Sequence, residues 1–177
     1  MTSRDLEGAG SFAKRSDGDV YDSTDYKAAN YKWILKFHNN TPSPQKNFVF
    51  YDETVDPRLK FTRIDYSRLM EGNYGIGKQI HTIVKRIILT MEDGSTKEIQ
   101  SEADKDGNGL IDLTKYGTVV GWRMEMKDDF VLPSGQGIRL NTYTSFKDPE
   151  KTRYDENDAT KNVYKNTGRV TYKTQSN

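Results

Sequence analysis

The sequence predicts an all-β protein, and three observations predict it. Apolar and polar residues alternate over long stretches, which is the signature of strands with one buried face. Tyrosine is abundant, with 11 in 177 residues, and suits a pleated sheet. Turn-forming residues punctuate the chain at short intervals.

The chain is organised around residues 31–54, YKWILKFHNNTPSPQKNFVFYDET. In the first half Tyr31, Trp33, Leu35 and Phe37 share one face, and Lys32, Lys36 and His38 take the other. Asn39, Asn40, Pro42, Ser43 and Pro44 break the strand into a loop. In the second half Phe48, Phe50 and Asp52 have one parity, so the acid is expected to point into the core with the two phenylalanines. A buried carboxylate is costly unless it is protonated or partnered.

Around this pair the other elements follow in order. Residues 1–10 read as a flexible lead-in, and 11–177 as one domain. Ser11–Arg15 is a short strand with Phe12 and Lys14 in phase, and Asp17–Asn30 is an acidic loop. Leu59–Tyr66 alternates again, and Met70–Gly77 is glycine-rich loop. Ile80, Ile83, Val84, Ile87 and Ile88 fit helical spacing, but Thr82–Met91 is β-branched and runs into Asp93-Gly94, a hairpin signal with Lys97–Ile99 as the return. Thr118–Met126 and Gly137–Phe146 are expected to pair around Pro133, Ser134 and Gly135. Phe146–Thr160 is charged and irregular, and Val163–Lys173 is the last strand, with Tyr164, Asn166, Val170 and Tyr172 on one face. Eight to ten short strands with frequent turns imply an immunoglobulin-like β-sandwich.

Composition excludes several functions. A net charge of +1 gives no electrostatic case for nucleic acid or an anionic membrane. No apolar run is long enough to span a bilayer as a helix. The absence of cysteine removes disulfides, thiol catalysis and cysteine-metal sites. No secretory signal or sorting motif is present, so Met1 is expected to begin an expressed fragment. His38 and His81 stand alone, and PSGQG at Pro133–Gly137 lacks the lysine and spacing of a phosphate loop.

Lys14, Asp52 and Asn166 are out of place for the same reason: each is in phase with a core face. The first and last strands of a sandwich are often neighbours, so the three can meet. Desolvation favours a neutral amine and a protonated acid. Such an amine attacks a carboxamide while the acid shuttles protons, ammonia leaves, and an amide crosslink remains.

The segments FAKRSDGDV, YKWILKFHNN and NFVFYDET, with KNTGRVTY near the end, resemble the isopeptide-forming domains of Gram-positive surface adhesins of the collagen-binding adhesin type. The resemblance implies a reactive lysine at Lys14, a catalytic aspartate at Asp52 and a reactive asparagine at Asn166, with Asn162 the second choice. It covers the first 55 residues best and does not extend to 70–150.

A second motif is DKDGNGLID. Asp104, Asp106, Asn108, Gly109 and Asp112 match positions 1, 3, 5, 6 and 9 of an EF-hand-like Ca²⁺ loop, while Lys115 stands where calcium normally meets a bidentate glutamate. An Asp/Gly turn accounts for the residues nearly as well, so no cofactor is required and Ca²⁺ is the one candidate. The expectation is a monomeric, extracellular, cell-wall-attached domain of a larger surface protein, a stalk or ligand-presenting module and not a turnover enzyme. Its partners are neighbouring domains, with a host extracellular-matrix protein or glycan as ligand. The alternatives are a ligand-binding adhesin head and a carbohydrate-binding module of a secreted glycan-degrading enzyme.

Overall fold

The computed structural model describes residues 2–4, 11–16, 30–66, 83–99, 109–148, 157–158 and 164–174, the first two segments and residues 30–31 as backbone. The strands are β1 (Thr2–Arg4), β2 (Ser11–Ser16), β3 (Asn30–His38), β4 (Gln45–Val55), β5 (Leu59–Asp65), β6 (Val84–Met91), β7 (Thr96–Ile99), β8 (Leu110–Asp112), β9 (Val119–Met126), β10 (Val131–Leu132), β11 (Gly137–Phe146) and β12 (Asn166–Thr174). Thr114–Tyr116 adds a single 3₁₀ turn. The protein is all-β, as its alternation predicts, and β11 has the bounds expected for it, Gly137–Phe146.

All pairings are antiparallel within one curled sheet, in the order β1-β12-β4-β9-β5-β11-β3-β2, with β10 on β4, β6 and β7 beyond β9, and β8 on β5. The join between β5 and β9 is the pair Phe61↔Val119. On either side of that join the sheet folds into two layers that face each other. Contacts between strands that are not neighbours show this. Phe37 of β3 lies 5.4 Å from Phe48 of β4 and 5.1 Å from Tyr172 of β12, ring centre to ring centre. Trp122 of β9 donates its indole N–H to Thr142 of β11 at 3.2 Å. At the far side from the join, β12 comes within 8 Å of β2, Cα to Cα.

The burial of β4 follows the predicted period: Phe48, Phe50 and Asp52 are buried, and Val49 and Tyr51 between them are half-buried. The same parity buries Val170 and Tyr172 in β12. In β3 the alternation is incomplete, because Ile34 is only 1% exposed although it lies opposite to Leu35 and Phe37. A smaller cluster of Trp33, Leu59 and Phe146, with Val55 and Tyr164, packs beside the main core.

The hairpin reading of residues 82–99 holds: β6 pairs with β7, and Gly94 takes the positive φ of +84° that its turn requires. Two expectations are corrected. Residues 118–126 and 137–146 do not pair with each other; β9 lies between β4 and β6, and β11 between β3 and β5. The turn at Pro133–Gly135 passes the chain between the layers because it is tied to the end of β3: Asn39 N–H donates to Gln136 O at 2.9 Å, and Gly135 N–H to Asn39 O at 2.8 Å. The lead-in also contains β1, which pairs with β12 from Thr2↔Tyr172 to Arg4↔Val170. Met70–Gly77 lies outside the described residues.

Candidate functional site

Asp52 is fully buried, at 0% exposure. It sits in a β-bulge. Thr167 pairs with Thr54 and Arg169 with Tyr51, so Asp52 and Glu53 together oppose Gly168. Bulges re-aim side chains and recur beside reactive groups. On its other side Asp52 pairs with Trp122 of β9. The neighbouring Gly121 lets the strands come close: a Cβ there would meet Glu53 Cα at 3.1 Å and Asp52 O at 3.4 Å.

Asn166 opens β12, in register with Val55. Its Nδ2 donates to Asp52 Oδ2 at 3.1 Å. Its Oδ1 is buried and accepts no hydrogen bond from the described residues. A buried unsatisfied carbonyl costs about 1–3 kcal/mol, and rotation of the amide would turn Oδ1 toward the acid instead, where a protonated carboxyl can donate to it. Either orientation puts a reacting end of the amide against Asp52.

Lys14 lies in β2 opposite Leu35, a fully buried core residue. The curl of the sheet brings the backbone of β2 within 8 Å of the strand that carries Asn166, Cα to Cα. Asn162, the second choice for the reactive amide, lies outside the described residues, as do His81, Asp104, Asp106 and Asn108. Asp112 is on the exposed edge of β8, where its Oδ1 accepts from Thr114 N at 2.9 Å and Thr114 Oγ1 at 2.6 Å. These bonds hold its carboxyl below the ordinary carboxylate range. Among the described residues no group of three or more His, Cys, Asp or Glu side chains forms a metal cluster. His38 is on the surface, 2.5 Å from Asn40 Oδ1.

Three polar groups lie outside the set that the sequence singles out. Asn39, read as a turn residue, is fully buried. Its Nδ2 donates to Ser43 O and Leu132 O at 2.9 and 3.0 Å, and its Oδ1 accepts from Thr41 N at 3.0 Å. Its parity with Trp33, Leu35 and Phe37 was the available signal. Thr142 and Thr144 on β11 are buried partners of the two tryptophans, with Trp33 Nε1 donating to Thr144 Oγ1 at 2.8 Å. The third group, Asp56 with Arg58, flanks the start of β12.

No protein-family model and no curated protein matches the chain. Among solved structures it is similar to the CBM3a-L domain with flanking linkers from scaffoldin CipA of the cellulosome of Clostridium thermocellum, with a TM-score of 0.33 and 12% identity over 81% of this chain and 71% of that one. A family IIIA CBD from Clostridium cellulolyticum is similar with a TM-score of 0.32 and 13% identity, over 81% and 76%. Likenesses this low identify neither a family nor a ligand.

Proposed function

We propose that this chain is a self-crosslinking β-sandwich domain of a Gram-positive surface adhesin or pilus-like protein, a stalk or ligand-presenting module outside the cell. The neutral Lys14 amine attacks Asn166 Cγ and forms a C–N bond. Asp52 carries a proton from the amine to the departing group, and Asn166 Nδ2 leaves as ammonia. The reaction occurs once per molecule.

One observation carries the reading: a fully buried acid is hydrogen-bonded at 3.1 Å to the nitrogen that must leave. The approach of β2 to β12 supports it, because a bond there would fasten the open side of the curled sheet. Intact mass is the test. The folded protein is expected to weigh about 17 Da less than its sequence, and a protein at full sequence mass would sink the proposal. The same preparation tests the two alternatives. Retention on a host matrix protein or an immobilised glycan would add a ligand-binding head or a carbohydrate-binding module, whichever material holds it.

A further inference from the structure

The residues just before Asn166 are gripped by the turn between β4 and β5. Asp56 accepts three hydrogen bonds from Arg58, from its N–H and Nε to Oδ1, each at 2.9 Å, and from Nη2 to Oδ2 at 2.8 Å. These bonds fix the plane of the guanidinium, and its central carbon lies 4.2 Å from the centre of the Tyr164 ring. The ring also lies 5.4 Å from that of Phe146, centroid to centroid. The backbone continues the grip: Asp56 N–H donates to Lys165 O at 2.8 Å. Asn166 is the next residue.

We infer that Asp56, Arg58 and Tyr164 form a clamp that positions the Asn166 amide for attack. This rests on the crosslinking reading above. The three are positioning residues, since they act through Asn166. Arginine suits the role because its planar fork binds both carboxylate oxygens while its face stacks on a ring. Lysine has only one of these abilities at a time. The strand end needs such a hold. The bulge interrupts the ladder right after Thr167, so the short stretch before it has few cross-strand bonds of its own to set where Asn166 lies.

The test follows the reaction from its start. Chain recovered unfolded and unreacted in urea is refolded by dilution. Fluorescence of Trp33 and Trp122 gives the folded fraction, and intact mass gives ammonia loss per folded molecule. Misplacing a reacting group by about 1 Å costs up to about a hundredfold in rate, so Arg58→Ala and Tyr164→Ala are each expected to slow ammonia loss at least about tenfold. Arg58→Lys should restore part of the rate. Tyr164→Phe, which keeps the ring, should react within about twofold of wild type, and the double alanine variant should be no slower than the slower single one. A merely structural clamp would change the folded fraction and leave the rate per folded molecule alone. Arg58→Ala and Tyr164→Ala both reacting at the wild-type rate once folded would overturn the inference while leaving the crosslink intact. A wild-type chain that keeps its full mass would instead remove the crosslink, and the clamp's role with it.

Discussion

Asn166 meets Asp52 across a bulge, nitrogen to carboxylate oxygen at 3.1 Å, with the acid fully enclosed by the core. The pairing depends on β12 lying directly beside β4, and the first prediction tests what it is for. Asp52→Asn preserves shape and the possibility of a hydrogen bond to Asn166 but cannot shuttle a proton. It is expected to fold and keep its full sequence mass, as are Lys14→Ala and Asn166→Ala. Losing the link reopens nearly the whole chain in the unfolded state, a change of about 4–5 kcal/mol by loop entropy, so all three should melt earlier than wild type. A 17 Da deficit, about one ammonia, persisting in Asp52→Asn would remove the acid from the mechanism.

Tyr172 presents the opposite case, a buried polar group with nothing to do. Its ring stacks at 5.8 Å on Phe48, and its hydroxyl lies buried without a hydrogen-bond partner among the described residues. Removing such a hydroxyl relieves a desolvation cost of about 1–3 kcal/mol. Tyr172→Phe should therefore melt at or above the wild-type temperature. A melting point several degrees lower would show that the hydroxyl is satisfied.

Gly121 is predicted to be intolerant of a side chain. The added methyl of Gly121→Ala would press on the β4 backbone at Glu53 and Asp52, at 3.1 and 3.4 Å. Overpacking of this kind costs about 1–3 kcal/mol. Because β4 is bonded on both sides, the strain should also displace Asp52 and slow ammonia loss. Wild-type stability and rate in this variant would show that the strands can part.

The pH dependence should have two limbs. Arg58, by hydrogen bonding, holds the Asp56 carboxyl below its ordinary value of 3.8. A depressed carboxyl stabilises the fold above the unfolded pKa, and that contribution is lost as pH falls through the folded one. Asp93, bonded by Ser95, and Asp112, bonded by Thr114, shift the same way. Burial pushes the Tyr164 phenol above its ordinary value of 10.0. Its contribution is complete below that value and is lost as pH rises through the folded pKa. Melting temperature against pH should thus fall below about pH 4 and above about pH 10. Asp56→Asn should flatten the acid limb, and an unchanged limb would take Asp56 out of it.

Calcium remains a separate proposal. If Asp104, Asp106, Asn108 and Asp112 hold Ca²⁺, excess Ca²⁺ should raise the melting temperature by mass action, and Asp106→Ala should abolish the rise. Identical curves in Ca²⁺ and chelator would leave DKDGNGLID as a turn. Asp112 Oδ1 is bonded to Thr114, so Ca²⁺ would have to recruit its other oxygen or displace that bond.

The parity of Phe48, Phe50 and Asp52, the inward face of Val170 and Tyr172, and the Asp93-Gly94 hairpin were all legible in the sequence. Each follows from a period of two or from turn chemistry, and both act between residues close in the chain. The tertiary structure alone decided which strands meet. A strand edge offers the same N–H and C=O groups to any partner, so β9 and β11, adjacent in sequence apart from two-residue β10, went to different layers. Ile34 is buried on a face that alternation assigns to solvent, and Asn39 is satisfied by groups as distant in the chain as Leu132. Burial and hydrogen bonding of that kind depend on the whole packed sheet, and local periodicity holds no record of them.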